Sequence, residues 1–113
     1  MVTQEELQEK LRGLSELQIP FDTTGLSENE IQVLDILKNA TSQVDELFLE
    51  QMYSRNLELR DRLSGSTDPL DAMKLRLLRA HGGPWDSYDH NKPFIENVQR
   101  PIGCEYYPRN KEQ

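Results

Sequence analysis

Residues 26–64 contain neither glycine nor proline, and within them apolar side chains recur at helical spacing. Val33, Leu34, Leu37, Ala40, Val44, Leu47, Phe48 and Met52 fall on one stripe, with Asp35, Lys38, Asn39, Ser42, Asp45, Glu46 and Glu50 largely opposite. That pattern predicts an amphipathic helix. Ser27-Glu28-Asn29-Glu30 is a capping box that would start it. Run without a break to Arg60 or Leu63, the helix would span about 50 Å at 1.5 Å per residue. A compact chain of this size has a radius of gyration of about 13 Å. The helix therefore either breaks near residues 53–56 or docks on a body outside this chain.

The flanking segments are also helical in pattern. Thr3-Gln4-Glu5-Glu6 is a capping box, followed by Leu7, Leu11, Leu14 and Leu17. Ile19-Pro20 is expected to end that helix, because a residue before proline avoids helical geometry. Asp68 with Pro69 opens a further helix whose apolar face is Leu70, Met73, Leu77 and Leu78. His81-Gly82-Gly83-Pro84 closes it. Residues 84–113 show no sustained period of either kind.

The chain thus has two textures. Residues 1–50 carry 11 acidic and 3 basic side chains, whereas residues 51–113 are nearly balanced with 9 and 10. Five of the eight aromatics and four of the six prolines lie after residue 83. The predicted fold is all-α: two or three antiparallel helices, one long, with an irregular proline- and aromatic-rich C-terminal arm. The division falls between a helical region, 1–80, and an arm, 81–113, within one incomplete domain. Trp85, Phe94 and Tyr107 are large anchors that order the arm only if they are buried, and the helices offer limited surface for them. The arm is accordingly expected to be mobile when the chain is alone.

Composition excludes several functions. A net charge of −7 argues against nucleic acid, which needs clustered Lys and Arg. The longest apolar run is three residues, Leu47 to Leu49, so no membrane partner or span is expected. The acidic, polar start is unlike a signal or transit peptide. The single cysteine, Cys104, fits a reducing, cytoplasmic setting.

Candidate chemistry is sparse. His81, Asp86, Asp89, His90 and Cys104 could be metal ligands, but no pair has the spacing of a zinc helix. Cys104 with a histidine could form a nucleophile–base pair; a lone cysteine is more often a small buried hydrophobe. There is no phosphate loop and no nucleophile elbow.

The arm carries a series of short motifs: Gly-Gly-Pro-Trp-Asp at 82–86, Asn-Lys-Pro-Phe-Ile at 91–95 and Arg-Pro-Ile-Gly-Cys-Glu-Tyr-Tyr-Pro at 100–108. In that order they resemble the N-terminal region of the dipeptidyl peptidase III-like zinc peptidases, in the bacterial-type branch sometimes joined to Nudix domains. The turn Asp22-Thr23-Thr24-Gly25-Leu26-Ser27 into the long helix is similar to that family's opening. The departures are Cys104-Glu105-Tyr106, where the family tends to Ala-Asn-Phe, and the missing His-Glu-x-x-Gly-His helix and downstream glutamate that bind zinc. The resemblance implies a segment without catalytic or metal-binding residues, inactive alone, that packs on a larger peptidase body. Zinc is expected only in the complete family, and no cofactor in this chain. The motif residues Trp85, Asp86, Asn91, Lys92, Phe94 and Tyr107 would then serve packing or line part of a substrate cleft. The alternative is a free-standing acidic helical module that binds a protein partner, or a second copy of itself, through the long helix's apolar stripe.

Overall fold

The computed structural model describes residues 2–101. It contains four helices, α1 (Gln4–Arg12), α2 (Glu28–Met52), α3 (Asn56–Ser64) and α4 (Pro69–His81), then two short strands, β1 (Trp85–Asp86) and β2 (Lys92–Pro93). The all-α class holds. The helix count exceeds the expected two or three because the glycine- and proline-free stretch divides into α2 and α3.

Helix starts follow local chemistry. The Thr3 hydroxyl accepts from the Glu6 amide at 3.2 Å, and the Thr3 amide donates to the Glu6 carboxylate at 2.7 Å. That hydrogen bond from the Thr3 amide holds the exposed Glu6 carboxyl below its usual range. Ser27 Oγ accepts from the Glu30 amide at 3.2 Å, and Asp68 Oδ1 accepts from the Leu70 amide at 2.9 Å. Pro69 takes the first position of α4, where its missing N–H costs nothing.

Helix ends agree less well. α1 stops at Arg12 with Gly13 as its cap, well short of Pro20. Leu17 and Ile19, 85% and 87% exposed, find nothing to pack against, so the apolar spacing that suggested a longer helix has no partner to reward it. α2 ends at Met52, where Tyr53 turns extended and is buried.

The core is built by Leu7 of α1, Leu59 and Leu63 of α3, Leu77 and Leu78 of α4, and Tyr53, Trp85, Phe94 and Ile95. α1 and α3 both pack on α4, while α2 touches only α3 among the helices. The radius of gyration is 17.5 Å, well above that of a compact chain of this length. Of the two alternatives for the long stretch, the break is realised, at 53–55; α2, with no buried side chain, still overhangs the core.

The expectation of an unhoused arm is corrected as far as residue 95. β1 and β2 pair antiparallel, with Trp85 opposite Pro93 and Asp86 opposite Lys92. The Phe94 amide donates to the Pro84 carbonyl at 3.0 Å, folding the segment back on α4. Trp85 and Phe94 are among the largest fully buried side chains. The helical part houses these rings: Trp85 meets Tyr53 at the α2–α3 link, Phe94 meets His81 of α4, and both join the core leucines of α1, α3 and α4. Cys104 and Tyr107 lie outside the described residues.

Candidate functional site

Two surfaces stand out: a polar node where the arm meets α1 and α4, and the uncovered face of α2.

The node centres on Asp86. Its Oδ2 accepts from Lys10 Nζ at 2.8 Å, and its Oδ1 accepts from the Tyr88 amide at 2.9 Å. Lys10 also lies 3.8 Å from Asp89, which pairs with Lys92 at 3.2 Å. Burial pushes the Asp86 carboxyl upward, but the Lys10 ammonium and the Tyr88 amide outweigh it and hold the group below its ordinary range. His81, at the end of α4, places Nδ1 2.8 Å from Ser87 Oγ and Nε2 3.7 Å from Asp86 Oδ1. Its ring packs against Tyr88 and Phe94. Burial lowers the His81 pKa, Asp86 raises it by less, and Lys10 adds to the lowering. A serine, a histidine and an aspartate thus sit together, but Asp86 is held by Lys10 and Tyr88 rather than by an imidazole N–H. The arrangement pins the hairpin to α1 and α4 and does not prepare Ser87 for attack.

The residues singled out from the sequence separate into two groups. Trp85 and Phe94 are in the core, and Trp85 meets Tyr53 edge-on with ring centroids 5.1 Å apart. Asp86 is buried beside them. Asn91 adopts a left-handed backbone, φ 56°, that asparagine tolerates, and its amide donates to the Asp86 carbonyl at 2.9 Å. Lys92 is exposed on β2. His90 is exposed in the hairpin turn, apart from the node. Among the described residues, no group of three or more His, Cys, Asp or Glu side chains could hold a metal ion.

Sequence reasoning missed Lys10 and Asn56. Asn56 Nδ2 donates to the Leu49 carbonyl at 2.8 Å and to the Gly82 carbonyl at 2.9 Å, tying the ends of α2 and α4 to the start of α3. A lone asparagine at the expected break was the available signal; nothing local marks Lys10.

The second surface is the side of α2 turned from the core. Val33, Ile36, Leu37, Val44 and Leu47 are each between 52% and 67% exposed. At its N-terminal end an apolar cleft of about 570 Å³ opens between Phe21, Leu26, Val33 and Leu34, with Asp22 and Glu30 also lining it. Among the described residues, no helix is long and apolar enough to cross a membrane.

A helical chain with a Trp- and Phe-anchored hairpin and one long uncovered helix is the likeness of part of a dipeptidyl peptidase III (DPP III). The solved structure of DPP III from Caldithrix abyssi superposes with a TM-score of 0.81 at 37% sequence identity, over 89% of this chain and 19% of that one. Nudix hydrolase 3 of Arabidopsis thaliana is 29% identical over 98 residues, covering 85% of this chain and 13% of that protein. The chain therefore spans about a fifth or less of the proteins it matches. No family model matches it.

Proposed function

We propose that the chain is a non-catalytic packing segment of a DPP III-like zinc peptidase, inactive by itself and completed by a larger body. The observation that carries this reading is the match to 19% of a DPP III chain over 89% of this one, joined to an α2 face left bare. The residues present do not fit a zinc site: the sequence lacks His-Glu-x-x-Gly-His, and the described residues offer no ligand cluster. Zinc and the hydrolytic step belong, on this reading, to the completing body. Here the motif residues Trp85, Asp86, Asn91 and Phe94 shape the segment that the body receives.

The test is a chimera in which this chain replaces the matched segment of the Caldithrix abyssi enzyme. The chimera should fold and release dipeptides, while the 113-residue chain alone should not. A folded chimera without activity, or hydrolysis by the chain alone, would remove the proposal. The free-standing interaction module draws on the same bare face; it would be favoured if the chimera failed to fold while the chain bound a separate protein.

A further inference from the structure

The bare face of α2 has a definite chemistry. Large apolar side chains side by side on one helix are unusual on the surface of a monomer and mark an interaction site. α2 also carries six acidic residues, Glu28, Glu30, Asp35, Asp45, Glu46 and Glu50, against a single cation, Lys38. Arg60 reaches across from α3 to Glu46 at 3.2 Å. The cleft at the N-terminal end continues the face with Asp22 and Glu30 beside its apolar walls.

We infer that this face, from the Phe21 cleft through Val33, Leu37 and Val44 to Leu47, docks into an apolar groove rimmed by Lys and Arg, the cleft receiving one large apolar side chain. The inference rests on the reading above in taking that groove to belong to the completing DPP III-like body. Charge decides between occupants. Most of these acids lie across the helix from the apolar stripe, but a second copy would still bring two helices side by side, each with six acids and one lysine, and their net charges would repel. A basic rim would meet Asp22 and Glu30 beside the cleft, and the net negative charge of α2 would steer its approach. The binding mode is a helix laid in a groove, read by anchors at helical spacing.

The experiment uses the full chain and two fluorescent helical peptides that share one leucine stripe. One carries lysine on its polar face and the other glutamate. The lysine peptide should bind and perturb the amides of α2 rather than those of α4, and the glutamate peptide should not bind. The double substitution Leu37→Asp with Val44→Asp should weaken binding at least tenfold. It adds two negative charges, so an association driven by charge alone would tighten instead. Circular dichroism checks that the helices persist; should they not, Ile36→Asp, at the most exposed of these positions, takes its place and should weaken binding in the same way. Equal binding of both peptides, binding of neither, or unchanged or tighter binding by the variants would overturn the inference. So would a dimer in sedimentation that the double substitution dissolves, which would make a second copy the occupant. An active chimera with failed peptide binding removes the docking face alone. Peptide binding with a folded but inactive chimera removes the peptidase reading and leaves the face.

Discussion

Lys10 Nζ and Asp86 Oδ2 lie 2.8 Å apart although 76 residues separate them in the chain. The contact joins the first helix to the hairpin, and both side chains are largely withdrawn from water. Removing one partner of such a pair strands the other, which costs more than the pair contributes. Lys10→Met should therefore lower stability by about 2 kcal/mol at neutral pH, read by urea denaturation. The Asp86 pKa is depressed in the folded state, so the unfolded chain takes up the proton more readily. The pair's contribution is complete above the unfolded value of about 3.9 and is lost as pH falls through the folded one. Wild type and Lys10→Met should converge in stability on acidification over that window.

His81 gives a second pH dependence, centred higher. Burial lowers its pKa, so the folded protein keeps it neutral where the unfolded chain would be protonated. Stability is intact above about pH 6.5 and falls as pH drops below that value toward the folded pKa. Melting of the wild type should decline between pH 7.5 and 5.5, and His81→Gln should flatten that decline. An apparent pKa for His81 at or above 6.5 by NMR titration would contradict the argument.

Asn56 offers a test of the joint between α2, α3 and α4. Its amide nitrogen donates to two carbonyls from a fully buried position. Asn56→Ala should cost about 2 kcal/mol by leaving the Gly82 carbonyl without that donor. Asn56→Asp should cost more, since it keeps the shape and turns a donor into a buried anion facing two carbonyl oxygens. Equal costs for the two substitutions in urea titrations would show that the hydrogen bonds are not what holds the joint.

What could be read from the sequence was what the sequence controls over a few residues. Thr3, Ser27 and Asp68 announce helix starts because a cap forms between neighbours three residues apart or fewer. The break near Tyr53 followed from the mismatch between helix length and chain size. The fate of the arm was hidden because it depends on distant partners: Tyr53 against Trp85, and Lys10 against Asp86. The motifs at 82–86 and 91–95 were visible as unusual, but their glycines, prolines and rings say that a backbone is shaped, not where it lands. The premise of too little apolar shelter holds for one part only. Trp85 and Phe94 of the hairpin enter the core, and the rod is the element left uncovered.

Gly82 ends α4 with φ 69°, a left-handed conformation that side chains other than glycine and asparagine resist. A Cβ there would also stand 3.1 Å from Phe48 Cε1, the aromatic of α2 nearest this corner. Gly82→Ala should destabilise the chain by about 1–2 kcal/mol through backbone strain, with Phe48 forced to give way. Gly25, at φ 92°, has nothing within 4 Å of the same construction, so Gly25→Ala should show the backbone cost alone. The difference between the two, measured by thermal melting, isolates the close approach of α2 to the α4 cap.

Amide exchange should rank the elements in an order opposite to the one expected from sequence texture. The Phe94 amide is tied to the Pro84 carbonyl at 3.0 Å within a buried segment, whereas the helical amides around Val33 to Leu37 sit on α2, none of whose side chains is buried. An amphipathic helix of this length draws most of its stability from the face it packs. Opening of the N-terminal half of α2 should therefore need little free energy, while exchange at Phe94 should approach the global unfolding limit. Exchange at Val33 to Leu37 should be at least tenfold faster than at Phe94 in the isolated chain, and should slow when the lysine peptide is bound. Protection around Val33 as strong as at Phe94 in the free protein would mean that α2 is stable without a groove to receive it.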